Sequence, residues 1–163
     1  MKRPELPMEG ACRCGRIHIR IDALPIMTAA CHCTGCQSMS GSAFSLTAMI
    51  PGTAFTVTRG EPVVGGLRSP GLDHMFCPEC MTWMFTRITG VDAFVNLRPT
   101  MLADASWFEP FIDTFVSEKL PWAATPARHQ FDGFPPTEDY APLMQEFAGL
   151  WEDGDAPGQA QHH

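Results

Sequence analysis

The seven cysteines of this chain fall in three tight groups, Cys12-x-Cys14, Cys31-x-Cys33-x-x-Cys36 and Cys77-x-x-Cys80. Thiols spaced so closely suit a shared metal ion better than a disulfide within each group. The count is also odd, so a fully oxidised chain would leave one thiol over. A closed structural zinc site takes four protein ligands, whereas a catalytic one keeps about three and leaves a position for water or substrate. Seven thiols divide as four plus three, which predicts one closed and one open zinc site.

These groups must be presented by short elements. Arg16-Ile17-His18-Ile19-Arg20-Ile21 alternates polar and apolar residues with period two, which predicts a half-buried strand with His18 on its polar side. If Cys12 and Cys14 extend that strand, residues two apart put both thiols on one face. The same rule turns His32 away from Cys31 and Cys33, so His32 is not expected to touch the metal. Further strands are predicted at 44–50 and 53–58, around a Pro51-Gly52 turn, and at 82–88, 93–99 and 110–116. The segments 59–62 and 68–73 read as turns or loops, and 100–107 as a loop or short helical turn. Leu143, Phe147 and Leu150 at helical spacing predict a short helix over 137–150, followed by a polar, disordered tail. Thr34, Gln37 and Ser38 stand beside the middle cysteines, where they can bond sulfur or substrate, or simply satisfy the turn's own backbone.

Composition narrows the class. At 163 residues the chain is large enough for one core of its own, and its 15 prolines and 14 glycines favour many short elements. No apolar run approaches the ~18 residues of a membrane span, so no membrane partner is expected. The formal charge is −7, carried with nine arginines and only two lysines, Lys2 and Lys119. Two zinc ions bring four positive charges and seven thiolates bring seven negative ones, so a loaded chain would stand near −10. Such a surface excludes nucleic acid as an electrostatic partner. Arg16, Arg20, Arg59, Arg68, Arg87 and Arg98 suit forked recognition of a carboxylate, although each taken alone reads first as a solvated surface residue. The first residues, Met1 to Pro7, begin basic but lead into no apolar stretch, which predicts a cytoplasmic, reducing setting in which clustered cysteines serve metal or catalysis.

The order of motifs is more specific than any one of them. Gly10-x-Cys12-x-Cys14-Gly15, then Cys31-His32-Cys33-x-x-Cys36 with Ser40-Gly41 and Phe44, then Phe76-Cys77-Pro78-x-Cys80 and Pro121-Trp122, resembles the glutathione-dependent formaldehyde-activating enzyme family. That broad group also includes centromere protein V. The resemblance covers roughly residues 9–135 and implies an all-β fold of small antiparallel sheets, the β-tent, around a structural zinc. It pairs Cys12 and Cys14 with Cys77 and Cys80 as the closed site, and gives Cys31, Cys33 and Cys36 a second, catalytic zinc. We expect a zinc-binding domain over 1–136 and an extension over 137–163, partly helical. Two positions depart from the family pattern. Met81 stands where glycine commonly follows the last Cys-x-x-Cys, which predicts a changed local turn, because a left-handed backbone costs methionine more than glycine. Asp113 stands where a histidine is often found near the start of the last core strand.

The resemblance implies a carbon-sulfur lyase that acts on an adduct of a small thiol such as glutathione with an aldehyde such as formaldehyde. No Gly-x-Ser-x-Gly elbow or Ser-His-Asp order offers a rival centre. Two alternatives stand beside this reading: a scaffold or interaction module in which both zincs are structural, and a related enzyme for another thiol or electrophile.

Overall fold

Ile17, Ile19 and Ile21 are each at most 1% exposed, so the period-two pattern does set one face of a strand into the core. The computed structural model describes residues 1–153. That strand, β2 (His18–Ile21), lies between β1 (Met8–Ala11) and β5 (Phe55–Arg59) in a three-stranded antiparallel sheet. The second sheet has eight strands: β3 (Met27–Cys31), β4 (Ser45–Pro51), β6 (Val63–Ser69), β7 (Leu72–Phe76), β8 (Trp83–Ile88), β9 (Val91–Leu97), β10 (Ile112–Thr114) and β11 (His129–Gln130). Their spatial order is β11-β10-β3-β4-β9-β8-β7-β6. The all-β expectation holds. This second sheet is larger than the small antiparallel sheets expected, and β10 pairs in parallel with both β3 and β11.

Two helices accompany the sheets. α1 (Thr34–Ser40) follows β3 directly, and α2 (Tyr140–Asp153) ends the described chain after a 3₁₀ turn at Thr137–Asp139. The helix predicted from Leu143, Phe147 and Leu150 is therefore present, with all three buried, and it runs on through Asp153. The rest of the tail predicted to be disordered, from Gly154, lies outside the described residues. No described helix is long and apolar enough to cross a membrane.

Several boundaries differ from expectation for local reasons. β4 and β5 flank Pro51-Gly52 as predicted, but they do not pair with each other: each enters a different sheet. A Cβ at Gly52 would run into the Asp92 carbonyl, so glycine is what allows the chain to change sheets there. The segment 68–73, read as a turn or loop, holds the turn of the β6-β7 hairpin at Pro70-Gly71, with strand on either side of it. The pairing shifts register between Gly65 and Ser69. One core unites the sheets and α2: Ile19 and Phe55 from the small sheet, Ile50, Met84 and Leu97 from the large one, and Phe147 from the helix.

Candidate metal centre

The thiols gather into two groups. Sγ atoms of Cys12, Cys14, Cys77 and Cys80 lie within 4.8 Å of one another, and so do those of Cys31, Cys33 and Cys36. All seven are free thiols. These are the two sets that the resemblance paired, and either set could hold a metal ion.

The four-cysteine group is built from two turns. Cys12 and Cys14 do not extend the strand: β1 ends at Ala11, and a turn closed by the Gly15 amide on the Cys12 carbonyl (2.8 Å) carries both thiols. Gly15 at φ 71° allows that reversal, which an extended segment would not need. Cys77 and Cys80 occupy the matching turn between β7 and β8, where the Met81 amide donates to the Cys77 carbonyl at 3.0 Å. Met81 adopts φ 56°, so the methionine takes up the left-handed backbone at this position. The turns meet where the Arg13 amide donates to Thr82 Oγ1 (3.2 Å). Sulfurs about 2.3 Å from one zinc in a tetrahedron stand about 3.8 Å apart. Cys12 to Cys14 at 3.5 Å and Cys14 to Cys77 at 3.8 Å fit that geometry.

Electrostatics point the same way. The Thr82 hydroxyl, 3.2 Å from Cys80 Sγ, and the Thr82 amide bring the Cys80 pKa down to about 5. Burial acts to raise Cys12, but the Ile17 amide and the neighbouring thiols outweigh it and lower the pKa. Cys14 is lowered by the Arg16 amide but raised more by burial and by Cys12, Cys80 and Cys77, and it ends at about 12. Crowding thus lowers Cys80 and Cys12 and raises Cys14, and a divalent cation would favour the thiolate form of each.

The three-cysteine group straddles a strand end and a helix start. Cys31 closes β3, opposite Ser45 on β4 and Thr114 on β10. Cys33 caps α1, its sulfur accepting from the Cys36 amide at 3.3 Å, and Cys36 stands in the first helical turn. All three are half-buried. Cys36, followed by Thr114 and Cys33, draws the Cys31 pKa down to about 5 against the effect of burial. Cys36 is driven far upward, first by Cys31 and then by burial.

The remaining expected residues take supporting places. His18 is half-buried rather than exposed, its Nε2 2.9 Å from the Gly15 carbonyl, and it is not among the grouped ligands. His32 is not among the grouped ligands; it lies just past the end of β3 in a fully buried position, with Nε2 3.3 Å from Asp113 Oδ1. Asp113 is itself fully buried, and it accepts from the Thr125 hydroxyl at 2.8 Å and faces Lys119 Nζ at 3.8 Å. Sequence reasoning singled out His32 and Asp113 separately but missed their contact, which depends on β10 lying beside β3. Gln37 serves the backbone, donating to the carbonyls of His32 (2.7 Å) and Glu118 (3.0 Å). Arg98, one of six arginines with no distinguishing signal, is largely buried over the face of Trp83, with 4.2 Å from Cζ to the ring centroid.

Comparison with known proteins bears on what this arrangement is. A Podospora anserina protein provisionally named a glutathione-dependent formaldehyde-activating enzyme is 27% identical over 103 residues, 61% of this chain. The chain spans about half of that relative, 48% of its length. A solved Rhodobacter sphaeroides protein superposes with a TM-score of 0.47 at 20% identity, covering 59% of this chain and 88% of that one. The model of the family described as glutathione-dependent formaldehyde-activating enzyme matches residues 7–118, a span that contains all seven cysteines and both of their groups. That match covers well over half of the chain, which therefore belongs to the glutathione-dependent formaldehyde-activating enzyme family.

Proposed function

We propose that this chain is a zinc-dependent carbon-sulfur lyase acting on a thiol-aldehyde adduct such as S-hydroxymethylglutathione. The observation that carries this reading is the unequal ligand count: four thiols that can close a tetrahedron, and three half-buried thiols that leave one position free. In this reading Cys12, Cys14, Cys77 and Cys80 hold a structural zinc, while Cys31, Cys33 and Cys36 hold the catalytic one. Zinc bound by the three thiolates supplies a Lewis-acid position at which a thiol ionises at neutral pH. Cys31, Cys33 and Cys36 set the local charge and fix the reacting face at the end of β3. Ser45, opposite Cys31, holds the Cys36 thiol down and steadies the cluster.

The reaction balances simply. The substrate sulfur forms a bond to the aldehyde carbon, the carbonyl oxygen takes up a proton, and the thiol proton is released; lyase action is the reverse. Free thiols throughout suit a reducing compartment, and we place the protein in the cytoplasm. We take 1–136 as the zinc-binding domain and 137–163 as its extension.

The test mixes zinc-loaded protein with glutathione and formaldehyde and follows adduct formation by NMR. The expected result is an initial rate above the protein-free control that Cys33→Ser abolishes. Identical rates with and without protein would contradict the activity, and loss of fold in Cys33→Ser would favour a purely structural role for that site.

A further inference from the structure

Arg98 follows β9, and none of the carboxylates among the described residues pairs with its guanidinium. Nη2 makes one long bond, 3.4 Å to the Asn96 carbonyl, and Nε is buried without a partner. Burial pulls the Arg98 pKa down to about 10, against an upward pull from Cys36 and Cys31. A half-buried guanidinium with no carboxylate partner is costly, and the Trp83 face and the nearby thiols offset only part of that cost. Arg16, by contrast, meets Glu79, and Arg20 meets Asp22.

A further group shares the problem. Trp83 Nε1 is also buried without a hydrogen-bond partner. An indole N–H can only donate. Arg98, Trp83 and Ser45 line one cavity of about 430 Å³, whose other walls include the apolar side chains of Phe44 and Phe76. That size suits a small-molecule ligand. The cavity adjoins the three-cysteine cluster, because Ser45 is the cross-strand neighbour of Cys31 and Ser40, another wall residue, bonds the Cys36 carbonyl at 2.7 Å. Arg98's charge partly answers the thiolates and the Ser45 hydroxyl serves the Cys36 thiol, but the Trp83 donor is left unexplained. A forked anion answers Arg98 and Trp83 together.

We propose that Arg98 and Trp83 form a carboxylate-binding subsite, which holds the acidic end of the substrate while its sulfur reaches Cys31, Cys33 and Cys36. The proposal rests on the thiol-substrate reading above and names the part of the protein that selects an acidic thiol. Arg98 binds and orients the carboxylate, and Phe44 and Phe76 flank it.

The test uses S-methylglutathione, whose blocked sulfur cannot engage a metal, and its dimethyl ester, in calorimetric titrations of the zinc-loaded protein. The acid should bind about tenfold more tightly than the ester, the lower range for hydrogen bonds to charged groups. Arg98→Met should erase that difference, and Arg98→Lys should recover part of it. Failure of the acid to bind, equal binding of acid and ester, or unaltered binding to Arg98→Met would overturn the proposal. The acid-ester comparison on the unaltered chain decides the matter even if Arg98→Met fails to fold. Titration of unblocked glutathione into cobalt-loaded protein, read by its visible absorption, tests the thiol-substrate reading separately. The subsite and that reading can therefore fail independently.

Discussion

Met81 holds φ 56° with a side chain 62% exposed, so little burial repays its left-handed backbone. Met81→Gly should raise stability by about 1 kcal/mol, the lower part of the usual penalty for a side chain in that region. Urea unfolding of the metal-loaded protein checks this, and an unchanged or lower midpoint would show that the methionine has a packing role. Asp113 poses the opposite case. Its carboxylate gathers Thr125, Lys119 and His32 in a fully buried place, so Asp113→Ala should cost about 1–3 kcal/mol by leaving buried polar groups unmet. The same unfolding measurement reads that loss. At this scale the cysteine groups were legible, because ligand spacing is local and each group lies within six consecutive residues. Neither the His32-Asp113 contact nor Arg98 over Trp83 could be read the same way. The first depends on β3 and β10, far apart in sequence, becoming neighbours, and the second on the register of the β8-β9 hairpin.

Elements were legible where one face is buried and hidden where it is not. The Ile17-Ile19-Ile21 alternation gave β2, and Leu143, Phe147 and Leu150 gave α2, because each buries a regular stripe. The β6-β7 hairpin escaped notice, since Val63, Val64 and Leu72 are exposed and glycines interrupt the pattern. Only two residues make up β11, too few to carry a period. The Cys12-Cys14 segment turned out to be a turn because its thiols are aimed by backbone reversal, not by strand alternation. α2 is more than an appendage: Phe147 is fully buried, 5.3 Å from the Phe111 ring and 5.2 Å from Trp151. Phe147→Ala should destabilise the fold by about 3–5 kcal/mol, the usual cost of an emptied aromatic site. Thermal unfolding followed by circular dichroism measures it, and a loss below 1 kcal/mol would mean that α2 contributes little to the core.

Across the whole molecule, the four-cysteine group joins the two sheets where the hydrogen bond between Arg13 and Thr82 also links their turns. Cys12 and Cys14 hang from the three-stranded sheet, and Cys77 and Cys80 from the β7-β8 turn of the eight-stranded one. A metal there ties the sheets together and adds its binding energy to folding. The three-cysteine group joins neighbouring parts of a single sheet and its following helix, so its loss should leave the architecture standing. This division of labour predicts different outcomes for one serine substitution in each group. Metal content per chain, measured by mass spectrometry alongside far-ultraviolet circular dichroism, tests it most directly. The account predicts two zinc ions in the unaltered protein, one zinc and an unchanged fold in Cys33→Ser, and collapse of the β spectrum in Cys77→Ser. A Cys33→Ser protein that unfolds, or a Cys77→Ser protein that keeps its fold after losing one zinc, would contradict it.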